Sequence, residues 1–165
     1  MSTSLIAIAG AGFMGTGIAE SLAAAGKWVL LYEPGQAALD RARGNLAASI
    51  ARAAERGKLG GWTEAELLDR VMFTTGLDDL ASADAVIEAV TEDLTVKSEL
   101  FARLDETVPD ARFLASNTSS IPIAELAAAT SRPERVLGLH FFSPVPVMKL
   151  VEVVVALDTA DDALE

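Results

Sequence analysis

Cysteine is absent from the 165 residues of this chain, and histidine and tyrosine each occur once. Without cysteine there is neither a disulfide framework nor a thiolate metal site. A single imidazole is too few for a histidine-built transition-metal centre. Aromatic residues are scarce at 5%, while alanine swells the hydrophobic fraction to 51%. That mixture suits helices packed closely on a sheet better than an all-β sandwich. Positive charge is also short, with 13 Lys and Arg against 24 Asp and Glu and a formal net charge of −11. Bulk electrostatics therefore argue against nucleic acid or an anionic membrane as partner. A phosphate-bearing ligand must be held locally, by backbone amides, a helix terminus or a few placed cations. The amino-terminal stretch "MSTSLIAIAGAGFMGTGIAESLAAAG" lacks a basic start, and four glycines and then Glu20 interrupt it. It reads as a folded strand, turn and helix of a soluble, cytoplasmic protein, not as a leader or a membrane span. The length fits one domain with a sizeable core.

The apolar runs alternate with helical periodicity. Strands are expected at Leu5 to Ala9, Trp28 to Glu33, 71–75, 83–90, 112–117, "RVLGLHFF" and "KLVEVVVA". Helices are expected from Phe13 to Ala25, closed by Gly26, and from Gln36 to Arg56, with Leu39, Leu46, Ile50 and Ala53 on one face. Thr63 and Glu66 form the pattern of a capping box. A further helix from Leu94 to Glu106 would turn Leu94, Leu100, Phe101 and Leu104 inward, and "IPIAELAAAT" reads as another. The closing "LDTADDALE" looks like the start of one more helix. Strands alternating with helices describe an α/β, doubly wound, mostly parallel sheet, with an antiparallel strand at its carboxy-terminal edge.

"GAGFMG" carries G-x-G-x-x-G at Gly10, Gly12 and Gly15, directly after the first strand and opening the first helix. In that context Gly10 permits the tight turn, Gly12 the close approach of a pyrophosphate, and Gly15 the close packing of helix on strand. Ala11, Phe13 and Met14 complete the loop that would face the phosphates. Glu33, at the end of the second strand, is placed to accept from the hydroxyls of an adenosine ribose. A carboxylate there repels a 2′-phosphate, which favours NAD over NADP on a Rossmann-type sheet. Arg41 and Arg43 fall on the following helix, not beside Glu33, and are not read as phosphate clamps.

The blocks "GAGFMGTGIA", "VIEAVTEDLTVKSELF", "ASNTSS" and "GLHFFSPVPVMKLVEVV" resemble the NAD-binding domain of the L-3-hydroxyacyl-CoA dehydrogenases, 3-hydroxybutyryl-CoA dehydrogenases included, over essentially the whole chain. The resemblance implies oxidation of a 3-hydroxyacyl thioester to the 3-ketoacyl thioester, or the reverse, with NAD as cofactor. It makes His140 the general base, Glu152 its orienting partner, and Ser119 a hydrogen-bond donor to the substrate oxygen. It sets Glu92, Lys97 and Asn117 near the nicotinamide end of the cofactor. Chemistry agrees, since a hydroxyl losing hydride from its carbon must also lose a proton, and imidazole titrates in the right range. In isolation, however, a lone histidine among Leu and Phe reads as a core residue, and Ser119 or Ser120 as a helix cap.

The family has Asn where this chain has Ser143, beside the cofactor, and serine lacks the amide's paired donor and acceptor. Ser49, Arg56 and Lys58, around the basic stretch "RAAERGK", are the candidates for coenzyme A contacts. Relatives also carry a helical carboxy-terminal domain that closes the cleft, supplies a further Asn and forms most of a homodimer interface. Residues 1–165 are expected to be the cofactor domain alone, binding NAD, turning over poorly and exposing apolar faces. Two other readings remain open: a dehydrogenase acting on a carrier-protein thioester, and a non-catalytic NAD-binding or partner-binding module.

Overall fold

The computed structural model describes residues 4–164. Met1 to Thr3, the first residues of the stretch weighed as a leader, and Glu165, the last of the anticipated final helix, lie outside the described residues. Seven strands form one sheet in the order β3-β2-β1-β4-β5-β6-β7. They are β1 (Leu5–Ala9), β2 (Trp28–Tyr32), β3 (Val71–Thr74), β4 (Ala85–Glu88), β5 (Leu114–Ser116), β6 (Val136–Phe141) and β7 (Val151–Val155). All neighbouring pairs are parallel except β6 with β7, which is antiparallel. This is the expected doubly wound sheet with its antiparallel edge. The strand order reverses between β1 and β4, and ligands of such sheets bind at that crevice.

The helices follow from short local patterns. α1 (Phe13–Ala24) starts at Gly12 and ends before Gly26, whose φ of +82° suits only glycine. α2 (Gln36–Glu55) buries Leu39, Ala42, Leu46 and Ile50 at helical spacing, while Ala53 is only half-buried. α3 (Glu64–Asp69) carries the expected capping box, with the Thr63 and Glu66 side chains each bonded to the other's backbone N–H. α4 (Leu94–Thr107) is capped by Asp93, whose carboxylate accepts from the Val96 N–H at 3.0 Å. α5 (Ile123–Ala127) is shorter than its ten-residue pattern suggested.

Two cores lie against the two faces of the sheet. One joins Ile8, Ile18, Leu31, Leu46 and Ile50, and the other joins Leu80, Val86, Phe101, Leu104 and Leu126. Several expectations are corrected. Leu94, read as part of the inward face of α4, sits in its first turn and is 39% exposed. Lys97 lies on the same stripe as Phe101 and Leu104 and is buried instead. β4 and β5 are shorter than read, because the chain leaves each strand to build the site. The closing segment makes a 3₁₀ turn at Asp161–Ala163 in place of the start of a helix. β7 is exposed along its whole length, although its sequence is as apolar as that of a buried strand. Among the described residues, no helix is long and apolar enough to cross a membrane.

Candidate active site

At the β1–α1 turn the three glycines differ physically. Gly10 has φ +112°, and a Cβ there would stand 2.7 Å from the Ala89 carbonyl oxygen. A Cβ on Gly15 would stand 1.8 Å from the Gly10 carbonyl oxygen, so the start of the helix rests directly on the turn. Among the described residues, a Cβ on Gly12 would meet nothing within 4 Å. No neighbour of Gly12 requires glycine, so the open space suits a ligand brought against the backbone. Gly12 caps α1 without any side-chain bond, and the first-turn amides have no carbonyl of their own helix to bond. This cradle fits a diphosphate at a helix N-terminus.

Glu33, just past β2, folds back on the turn. Its carboxylate accepts from the Ala11 N–H at 3.3 Å and the Gly35 N–H at 3.4 Å. Glu33 lines a cavity of about 240 Å³ with Gly12, Phe13, Ala38 and Asn45, and Arg41 lines it too. This corrects the expectation for Arg41. Both arginines do lie on α2, but the helix starts immediately after the 34–35 turn and brings its second turn back to the cavity beside Glu33. Arg43 points elsewhere, its guanidinium 4.3 Å from the centre of the Phe73 ring.

Beyond β4 the site is made of side chains. Glu88 is fully buried at the strand's end and accepts from the Lys97 Nζ, the Ser116 Oγ and the Val90 N–H, each at 2.6 Å. Lys97 is 1% exposed, its ammonium also 3.4 Å from the Glu92 carboxylate and 3.5 Å from the Val90 carbonyl. Glu92 in turn accepts from the Thr118 Oγ1 at 2.5 Å and from the Ser119 N–H and Ser120 Oγ at 3.1 Å. Burial pushes the Glu92 carboxyl up, but the bonds from Thr118 and Ser119, with Lys97 and Ser120, outweigh it and hold it down at about 2. Neither serine caps α5. Thr118 organises that turn by accepting from the Ser120 and Ile121 N–H groups. Ser119 lines the neighbouring cavity.

The lone histidine sits on β6 directly across from Glu152 on β7. Antiparallel register sets residues twelve apart face to face, with His140 Nδ1 2.8 Å from Glu152 Oε2. A carboxylate only accepts, so Nδ1 carries the proton in this bond, and in the neutral ring Nε2 keeps its lone pair. The ring packs against Phe142 with centroids 4.6 Å apart. Asn117 Oδ1 accepts from the Phe141 N–H at 2.8 Å, tying the end of β5 to the strand that carries the histidine. One cavity of about 380 Å³ is lined by Met14, Glu92, Lys97, Asn117, Ser119, His140 and Ser143. It begins where the glycine turn ends.

Ser49, Arg56 and Lys58 line a second cleft between α1 and α2, closed on one side by Pro144 and Pro146. Residue 143 faces the histidine's cavity and residue 144 faces this cleft, so one short segment walls both. Glu20 and Arg52 also line the cleft. Burial raises the Glu20 carboxyl above its usual range, with Ser49 and Arg52 offsetting part of that rise. Sequence reasoning missed Glu20, Arg52, Asn45, Glu88, Ser116 and Thr118. Only Glu88 left a signal, as an acid inside the apolar strand "AVIE".

A family model described as 3-hydroxyacyl-CoA dehydrogenase, NAD binding domain, matches residues 5–165. A 3-hydroxybutyryl-CoA dehydrogenase of Mycobacterium tuberculosis is 51% identical over 160 residues, covering 96% of this chain and 56% of the relative. A 3-hydroxyadipyl-CoA dehydrogenase of Escherichia coli is 49% identical, over 97% of this chain and 34% of its own length. The crystal structure of a 3-hydroxybutyryl-CoA dehydrogenase from Escherichia coli K12 superposes with a TM-score of 0.93 at 47% identity, covering 99% of this chain and 35% of that one. This chain thus spans about half, or less, of the length of these relatives.

Proposed function

The chain belongs to the 3-hydroxyacyl-CoA dehydrogenase family through its NAD-binding domain, and on that premise we propose that it serves the NAD-dependent interconversion of 3-hydroxyacyl and 3-ketoacyl thioesters of coenzyme A. The observation that carries this reading is the His140–Glu152 pair at 2.8 Å, whose histidine lines the cavity that continues the glycine turn.

The residues present fit a dinucleotide, because the space at Gly12 and the first-turn amides form a cradle that no other described residue fills. Bound NAD supplies the hydride acceptor. In the oxidising direction His140 Nε2 takes the proton of the C3 hydroxyl as hydride departs, and Glu152 steadies the imidazolium that results. Ser119 donates to the same oxygen and fixes its distance from the imidazole. Glu92 stays ionised across the working pH range and, with Lys97 and Asn117, shapes the wall at the nicotinamide end. Ser143 stands on that wall with one hydroxyl in place of an amide. Ser49, Arg56 and Lys58 share one cleft, which supports coenzyme A over a carrier protein as the thioester's handle. The setting is cytoplasmic acyl-thioester metabolism, with residues 1–165 acting as the cofactor domain.

The test is acetoacetyl-CoA-dependent oxidation of NADH, measured in a single turnover with the protein in excess. His140→Gln should slow that turnover by about 10² to 10⁴ while NADH affinity stays the same. An unchanged rate would overturn the assignment of His140. Faster turnover of the matched carrier-protein thioester would move the substrate away from coenzyme A.

A further inference from the structure

We propose that Glu88, buried behind the wall of the histidine's cavity, neutralises Lys97 so that the wall keeps a net negative charge, and that this charge biases the site toward the oxidised, cationic nicotinamide over the reduced, neutral one. The inference rests on the dinucleotide reading of the glycine turn and goes beyond it, to a carboxylate that the proposed reaction leaves idle.

The strand order reverses between β1 and β4, and a dinucleotide held at the glycine turn would lie across that crevice. The cavity of about 380 Å³ takes Met14 from the turn at one end and His140 at the other, which makes it the space for the nicotinamide ring. The oxidised ring carries one positive charge and the reduced ring none, so charge beside it is a means of tuning the cofactor. Two side chains of formal charge line the cavity, Glu92 and Lys97. On their own they would cancel.

Glu88 breaks that balance. Its carboxylate is 2.6 Å from the Lys97 ammonium, against 3.4 Å for Glu92. The Ser116 Oγ and the Val90 N–H, each donating at 2.6 Å, hold the carboxylate toward the lysine. Among the described residues this is the one ion pair with both side chains almost wholly out of solvent. Apolar side chains of similar volume would stabilise such a corner as well or better, so stability does not account for the pair. With the lysine's charge met from behind, the Glu92 carboxylate is left uncompensated at the wall. The bonds from Thr118 and Ser119, with Lys97 and Ser120, hold that carboxyl down at about 2, and it stays ionised at neutral pH. Glu152, behind His140, adds negative charge that is common to every variant compared below.

The readout is the ratio of the dissociation constant of oxidised NAD to that of NADH, from NADH emission titrations and displacement of NADH by NAD. Glu88→Gln and Glu92→Gln each bring the three-residue cluster to neutrality and should raise the ratio by roughly three- to thirtyfold, between the limits for a solvated and a buried charge pair. Lys97→Met makes the cluster more negative and should lower the ratio. Lys97→Met with Glu88→Gln keeps the wild-type net charge and should return the ratio to the wild-type value, even where both affinities fall. Should a single variant at the buried pair fail to fold, Glu92→Gln against Glu92→Asp decides: the ratio should rise in the first and stay near wild type in the second, which keeps the charge. Equal proportional changes in both affinities, or a double variant whose ratio departs from wild type, would overturn the proposal. Absence of saturable NADH binding by wild type would instead overturn the dinucleotide reading itself, and the proposal with it.

Discussion

The two halves of the sheet serve one cleft by opposite means. On the β3-β2-β1 side the site is backbone: three glycines, a row of helix amides and one carboxylate tied to N–H groups. On the β4-β5-β6-β7 side it is side chain: a buried ion pair, a threonine-organised turn and a cross-strand imidazole–carboxylate pair. Under the proposed function, the difference follows from what each half must hold. A diphosphate is large and uniformly charged, so amides fixed by the fold suffice for it. Proton and hydride transfer need particular atoms at hydrogen-bond distance, and only a network of side chains that orient one another supplies that.

Each half can be disabled separately. Gly15→Ala should be the most damaging change, because a methyl 1.8 Å from the Gly10 carbonyl oxygen meets backbone that cannot move aside. We expect a loss of about 3 kcal/mol or more, read by denaturant unfolding. Gly12→Ala, three residues away in the same motif, provides the contrast. It meets nothing, so its unfolding midpoint should stay near wild type while NADH affinity falls by roughly tenfold or more.

On the side-chain half, Lys97→Met strands the fully buried Glu88 without its cation. Breaking one partner of a buried pair costs about 3 to 5 kcal/mol. Glu88→Gln in the same chain should restore much of that loss, because no buried charge is then left unpaired. Recovery would identify charge, rather than packing, as what Lys97 supplies.

The smallest effect should come from acid. Glu92 has a folded value of about 2 against an ordinary 4.5, so its contribution is complete above 4.5 and is lost as pH falls from there through 2. Its side chain is 41% exposed, and solvent screening reduces the contribution to about 1 kcal/mol. The stability gap between wild type and Glu92→Gln should close across that window in pH-dependent thermal melts. A gap that stays constant would mean the Thr118 and Ser119 bonds do not favour the ionised form.

How much of each half was legible in the sequence follows from the same division. The glycine turn could be read because Gly10, Gly12 and Gly15 act through local backbone geometry, which spacing alone reports. The alternation of strands and helices was legible for the same reason, down to the Thr63–Glu66 capping box. The side-chain half was legible through resemblance, which named His140, Glu152, Ser119 and Glu92 without showing what holds them. Glu88 and Lys97 are nine residues apart on different elements, and no periodicity reveals that one neutralises the other. Lys97 lies in the stripe that includes Phe101 and Leu104, yet a lysine is ordinarily kept out of a core unless a partner awaits it. Arg41 was misplaced because its number along α2 does not say how the turn at 34–35 aims that helix.

Binding and chemistry, on this view, reside in separate halves of one sheet. The decisive measurement is an NADH titration of Gly12→Ala and His140→Gln, side by side with wild type. Weakened binding in the glycine variant and wild-type affinity in the histidine variant are the expected outcome. Equal affinities in all three, or a loss confined to His140→Gln, would contradict it.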